Sequence, residues 1–215
     1  MEFLAWFIDL VLHLDKHLPP LVQQYGVWIY AILFVVIFSE TGFVVFPFLP
    51  GDSLLFVAGA VAALGGMDPV VLVVVLSAAA ILGNSLNYAI GRRLGPRVFH
   101  WPDSKFFSRA ALEKTHAFYE RHGGKTIVLS RFLPLFRTFA PFVAGIGAMS
   151  WTRFTAFNVV GGIGWVLSLT VAGFWFGNIP VIKNNLSLMI VGIVVVSLLP
   201  AFFGWLHHRR AQRPA

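Results

Sequence analysis

The chain has 215 residues, of which 58% are hydrophobic, 15% aromatic and only 12% charged, with a net charge of +7. Soluble domains carry about 25% charged residues, so this composition excludes an ordinary soluble enzyme, a disordered chain and a secreted miniprotein, and it marks an integral membrane protein. Cysteine is absent, which removes disulfides, thiolate metal sites and cysteine nucleophiles as well.

Residues 1–20 read as an amphipathic helix on the membrane surface. Their apolar stretches are interrupted by Asp9, His13, Asp15 and Lys16, and the basic start and small-residue cleavage site of a secretory signal are not expected there. From Gly26 to Phe38 the chain is apolar, and with an extension back to Leu21 the stretch 21–39 is just long enough to cross, since about 20 residues at 1.5 Å rise cover ~30 Å of hydrocarbon. Residues 40–67 are also apolar, but Pro47, Pro50 and Gly51 interrupt them, and Glu40 and Asp52 charge them. A cleaner span follows over 69–91, with Asn84, Ser85 and Asn87 toward its end. Residues 92–125 hold eight Lys/Arg against three acids. They include a predicted surface helix over 108–121, with Ser108 as its N-cap and Gly123–Gly124 as its stop. Residues 126–150 are apolar and broken by Pro134 and Pro141, with Arg131 and Arg137 inside. Spans over 154–176 and 187–206, the second bent at Pro200, lead to a basic tail over 207–215.

Charge parity arranges these segments. Basic loops favour the cytoplasmic side, which places 92–125 and the tail there. The spans 154–176 and 187–206 go out and back, so 126–150 must enter and leave on the cytoplasmic face. By the same count 40–67 dips in from the outer face when the N-terminus is cytoplasmic. The expected fold is all-α and integral to the membrane: about four spanning helices, two opposed re-entrant helical hairpins over 40–67 and 126–150, and the surface helix over 1–20, in one domain. Paired Gly/Pro-interrupted segments, one in each half, point to a transport site between them.

Four charges stand where lipid should be. A central Arg or Asp costs about 2.5–3.5 kcal/mol on insertion scales, so each must pair or face water. Arg131 and Arg137 lie six residues apart with Pro134 between them, and a break there lets both face one cavity. Guanidinium forks suit phosphate oxygens, which makes the two arginines candidate headgroup ligands. Glu40 and Asp52 are candidate proton-coupling acids. Equally, the four charges can pair across the two segments and hold them together. Asn84, Asn87 and Asn158 either line a cavity or make interhelical hydrogen bonds. The spacing of Gly173 and Gly177 suits close helix packing, within the chain or in a homodimer. Among Trp28, Trp151, Trp165, Trp175 and Trp205 several are expected as interface anchors. No arrangement for a metal, a nucleotide or a catalytic triad is legible, so no metal, no cofactor and no enzymatic reaction are expected. The basic patches sit beside apolar spans without a nucleic-acid-binding motif, and anionic lipid rather than nucleic acid is the expected partner.

The strings ETGFVVFPFLPGDSLLFVAGA (40–60), GNSLNYAIGRRLG (83–95) and HGGKTIVLSRFLPLFRTFAPFVAGIGAMS (122–150) resemble the bacterial DedA family over nearly the whole chain. The acid–Pro–x–x–Pro–Gly–Asp block and the Arg–Phe–x–Pro–x–x–Arg block occur together, as in members linked to membrane homeostasis and proton-dependent drug and alkaline tolerance. The resemblance implies a bacterial inner-membrane protein with opposed re-entrant hairpins and cytoplasmic termini. It further implies lipid movement between leaflets, with undecaprenyl phosphate as the expected lipid. The family's important acids fall on Glu40 and Asp52 and its arginines on Arg131 and Arg137, while Asn84 stands where some relatives carry an acid. Three functions stay open: a proton-coupled flippase for an anionic phosphate lipid, a proton-coupled drug or cation antiporter, and a non-transporting membrane scaffold.

Overall fold

A computed structural model describes residues 14–43, 51–95, 109–177 and 179. Pro47, Pro50, Ser108, the span 187–206, the tail 207–215 and the first part of the surface helix lie outside these residues. All regular structure among the described residues is helical. The elements are α1 (Leu14–Tyr25), α2 (Trp28–Gly42), α3 (Gly51–Ala63), α4 (Pro69–Leu94), α5 (Arg109–His122), α6 (Lys125–Leu129), a 3₁₀ turn over Ser130–Phe132, α7 (Pro134–Ile146) and α8 (Trp151–Gly177).

The helix ends follow local chemistry. α1 runs past the expected boundary to Tyr25, and Gly26, at φ +52°, turns the chain before α2. The span expected over 21–39 is therefore two helices, because a left-handed residue that suits glycine stands inside it. Asp68 caps α4 by accepting from the amides of Val70 and Val71 at 2.8 and 2.9 Å, with Pro69 in the first helical position, where its missing N–H is harmless. α5 matches the predicted surface helix closely and stops at Gly123, φ +59°, whose amide reaches the Tyr119 carbonyl at 2.7 Å. Half-buried Tyr119 docks α5 on α7 beside Phe142 and Val143, and burial pushes its phenol above the ordinary value, which keeps it neutral.

α4 and α8, with 26 and 27 residues, are about 39 and 40 Å long at 1.5 Å per residue, enough to cross a bilayer. α3 and α7 have 13 residues each, about 20 Å, and fall short of it. α2, α4 and α8 are apolar on both faces. Ile29, Leu33 and Ile37 of α2 point into the core, yet Trp28, Ile32 and Val35 are exposed, as are Val70, Val74 and Leu82 of α4 and Val160, Leu167 and Val171 of α8. Outward apolar side chains on long helices fit lipid contact rather than water. Trp28 and Trp175, 75% and 72% exposed, and half-exposed Trp151 remain suited to an interface. Trp165 does not: it is 1% exposed, inside the bundle.

α4 is the central element, flanked by α2, α7 and α8. It runs alongside α2 in the same direction: the Asp68 amide donates to the Tyr30 hydroxyl at 2.7 Å, and Gly83 meets Thr41 and the Phe38 carbonyl further along. α3 and α8 cross at glycines. A Cβ on Gly59 would lie 2.1 Å from the Thr170 oxygen, and one on Gly173 would lie 1.9 Å from the Phe56 oxygen. Gly173, half of the GxxxG pair, is thus consumed inside the chain, as small residues at membrane helix contacts allow.

This packing separates two glycines of similar appearance in the sequence. Gly59→Ala should lower unfolding stability in mixed micelles by about 1–3 kcal/mol, because backbone faces the new methyl. Gly164, with nothing within 4 Å of its Cβ position, should tolerate alanine or gain up to about 1 kcal/mol in helix propensity. Equal effects of the two changes would show that α3 and α8 do not cross there.

Candidate functional site

The four displaced charges meet at the junction of α2, α3, α7 and α8. Glu40 lies on the last turn of α2, three residues after Ile37, and so on the buried stripe of that helix; it is 0% exposed. Its place is the end of a regular helix, not the interrupted segment that follows. Asp52 is the second residue of α3, where the positive helix end favours a carboxylate. Gly51 begins α3 directly against Glu40, and a Cβ there would lie 1.8 Å from a carboxylate oxygen. Only glycine lets the start of α3 close on that acid.

Arg137 spans the two acids. Its Nη2 is 2.6 Å from Glu40 Oε1 and its Nη1 2.6 Å from Asp52 Oδ1. Each nitrogen serves a different carboxylate, so one fork crosslinks α2, α3 and α7. Arg137 reaches them because Leu133, extended at φ −118° and ψ 102°, separates the 3₁₀ turn from α7. Pro134 starts α7, as its lack of an N–H permits. Pro141, expected as a second break, instead stands inside α7, which continues to Ile146. The helix accommodates the proline by giving up the hydrogen bond to the carbonyl four residues earlier, and that carbonyl belongs to Arg137.

Arg131 is held differently. It is buried in the 3₁₀ turn, and Nη2 donates to Asn158 Oδ1 at 2.7 Å, with the Ala80 carbonyl at 3.4 Å. Among the described residues no carboxylate lies within ion-pair distance of it, and its Nε is buried without a hydrogen-bond acceptor. Gly161 and Gly162 of α8 make the room, lying within 3.4 Å of the side chain once given a Cβ. Asn158 is itself fixed, donating to the Ile81 carbonyl at 2.9 Å and to Ser85 Oγ at 3.2 Å.

The asparagines therefore work as ties. Asn87 donates to the carbonyls of Thr41 and Thr138 at 3.2 and 2.8 Å. Those residues directly follow Glu40 and Arg137, so one side chain of α4 clamps the backbone behind both members of the ion pair. Its Oδ1 is buried and unpaired, as is Thr138 Oγ1. Asn84 is buried three residues earlier on α4.

Trp165 joins the two arginine sites. Its Nε1 donates to Asp52 Oδ1 at 2.9 Å, and its ring centroid lies 5.3 Å from Arg137 Cζ and 5.9 Å from Arg131 Cζ. Both are cation–π distances, and such contacts strengthen to about 2 kcal/mol when desolvated. Reading Trp165 as an interface anchor missed this role. The available signal was its spacing of seven from Asn158, which puts both on one face of α8.

A VTT domain model matches residues 49–175, more than half of the chain. Protein DedA of Escherichia coli strain K12 is 56% identical over 217 residues, covering 100% of this chain and 99% of the relative. The chain belongs to the DedA family. An uncharacterized membrane protein of Mycobacterium leprae is 47% identical, over 83% of this chain and 80% of its own length. Inner membrane protein YghB of Escherichia coli strain K12 is 33% identical over 92% of this chain and 90% of its own length. No solved structure matches the chain. With this membership and the apolar helices, the protein is a DedA-family membrane protein.

The geometry sets the order of damage. Arg137→Gln strands two carboxylates in the interior, and breaking a buried pair this way costs about 3–5 kcal/mol. Adding Glu40→Gln and Asp52→Asn should restore much of the stability in mixed-micelle unfolding, since neutral amides are cheaper to bury than unpaired charges. A triple variant no more stable than Arg137→Gln alone would show that the ion pair is not what holds α2, α3 and α7 together.

Proposed function

We propose that this protein moves an anionic, phosphate-headed lipid between the leaflets of the bacterial inner membrane, with undecaprenyl phosphate as the substrate and proton movement as the coupled event. The observation that carries the reading is the unequal treatment of the two arginines. Arg137 is neutralised by Glu40 and Asp52, whereas Arg131 rests on neutral oxygens; the Nε of each is buried without an acceptor. A buried guanidinium without a carboxylate is expensive to keep, and such groups in membranes mark functional sites. Its chemistry matches a phosphate monoester, which accepts several charge-assisted hydrogen bonds.

In this reading the headgroup enters beside Arg131 while the isoprenoid tail stays in lipid. A proton on Glu40 or Asp52 removes one of the two bridges to Arg137, and the released guanidinium becomes the second phosphate ligand. Carboxylate and phosphate thereby compete for the same arginine, and a proton on the acid tips that competition toward phosphate. The short helices α2 and α3 suit the two halves of one re-entrant hairpin, which enters and leaves on the face where Tyr30 meets Asp68, and α7 suits half of a second, with the basic α5 segment on the cytoplasmic side. Antiport of a soluble cation is less well supported, since both acids face Arg137 and two arginines repel cations. A purely structural role leaves Arg131 without a reason to be charged.

The test is leaflet exchange of labelled undecaprenyl phosphate in vesicles containing the purified protein, with and without a pH gradient. Arg131→Ala should lower the protein-dependent rate by about tenfold or more, the kinetic equivalent of one charge-assisted hydrogen bond of roughly 1.5–3 kcal/mol. Glu40→Gln should remove the effect of the gradient. Undiminished exchange by folded Arg131→Ala protein would sink the assignment. Restored function in a Glu40→Arg, Arg137→Glu charge swap would favour the scaffold instead.

A further inference from the structure

We propose that Trp165 is the positioning residue that links the acid pair to Arg131, its indole N–H anchored on Asp52 and its ring face shared by both guanidinium groups. This deepens the flippase reading and rests on it: Trp165 supplies the physical connection between the proton-binding acids and the headgroup arginine.

The geometry has three parts. First, the indole hydrogen bond ends on Asp52 Oδ1, the same oxygen that receives Arg137 Nη1 at 2.6 Å. A buried tryptophan needs an acceptor for its N–H, and a backbone carbonyl would serve. The acceptor here is a carboxylate already engaged in an ion pair, so the indole senses the state of that pair. Second, the ring lies against both arginines, at 5.3 and 5.9 Å. Third, the remaining hold on Arg131 comes largely from the same helix: Asn158 receives its Nη2, and Gly161 and Gly162 flank it. α8 thus forms the Arg131 receptacle, and Trp165 is the member of that receptacle that also bonds an acid, Asp52.

The charged groups facing this ring are Asp52 of α3, Arg137 of α7 and Arg131 of the 3₁₀ turn, with Glu40 of α2 acting through Arg137. When Asp52 is neutralised, two holds weaken together: the bridge to Arg137 and the anchor of the indole. An indole freed to tilt withdraws its face from Arg131, and the guanidinium loses a partner. The event at the acids therefore changes the anion affinity of a residue they do not bond. Phenylalanine at this position keeps a ring near the arginines but has no N–H, and so cuts this link selectively.

The experiment uses the full chain in nanodiscs, labelled with 5-fluorotryptophan and read by fluorine NMR, with geranyl phosphate as the probe. There are seven tryptophans, and the Trp165 resonance is assigned by removing the others one at a time. Without probe, Asp52→Asn and Arg131→Gln should each move that resonance. With probe, Asp52→Asn should change affinity by about fivefold or more in the otherwise native protein, the lower end of ordinary site coupling. In a Trp165→Phe background the same Asp52→Asn change should keep only the part that comes from releasing Arg137, an effect at least about twofold smaller than in the native protein, the non-additivity expected of groups acting through one another. An equal effect of Asp52→Asn in both backgrounds overturns the proposal, as does a Trp165 resonance indifferent to either substitution. If the native protein fails to bind the probe, the phosphate-lipid reading falls while the ligand-free shifts still decide the role of Trp165. Those shifts also decide it if Trp165→Phe does not fold.

Discussion

Arg137 is the constraint on which the rest of the architecture depends. Three chain segments that are distant in sequence converge on one side chain, whose two terminal nitrogens take Glu40 and Asp52 separately at 2.6 Å. Attraction between unit charges at such distances is modest in water and grows as the surroundings lose polarity. The same loss of water raises the cost of leaving any member unpaired. Helix positions around the pair are therefore dictated by charge satisfaction before apolar packing contributes specificity. Gly51 shows this most directly: the backbone of α3 approaches the Glu40 carboxylate so closely that a methyl group would occupy the same space.

Keeping the ion pair aligned requires support from behind, and α4 supplies it. Asn87 holds the carbonyls next to Glu40 and Arg137, while Gly83 and Gly91 let α2 and α7 press against α4 at backbone distance, where Thr41 and the Phe142 carbonyl leave no room for a Cβ. Close glycine contacts strengthen dispersion packing in an environment where lipid tails weaken the hydrophobic drive for helices to associate. The spanning helix is thus a rigid spine, and the short helices α3 and α7 are positioned on it by polar ties.

Much of this was legible because membranes penalise charge. Glu40, Asp52, Arg131 and Arg137 stand out in apolar sequence, and their requirement for partners predicts their convergence without any knowledge of distance. The lengths of the long helices followed from apolar run length in the same way. What could not be read was the pairing. Two acids and two arginines allow a symmetric arrangement of two bridges, whereas the fold gives both acids to Arg137 and sends Arg131 to Asn158. That choice depends on the extended Leu133 and on the glycines of α8, which set direction at a scale below sequence spacing. Pro141 misled for a related reason: a proline breaks a helix only when the lost hydrogen bond and ring clash outweigh the packing on either side, and α7 is packed through Phe139, Phe142 and Val143. Gly26 marked the start of the apolar run but not a turn, because a glycine at such a boundary carries no local mark of a positive φ.

The asymmetry between the arginines also bears on why the site carries four charges rather than two. A single Glu–Arg pair would satisfy the interior and bind nothing. With two acids on one arginine, the excess negative charge lies at Asp52 and Glu40, and the balancing positive charge lies at Arg131, across the face of Trp165. The site is neutral overall yet polarised, with its cation presented to neutral oxygens that an anion can outbid. Under the proposed function, an anionic group arriving at Arg131 gains a guanidinium that no carboxylate must first release, and a proton on the acids balances one unit of the charge it brings. Electroneutrality alone couples the two events, because a buried site can hold an extra negative charge only if a positive one accompanies it. Under the proposed function, the separation of Arg131 from the acids turns a structural salt bridge into an arrangement with an occupied and an unoccupied state.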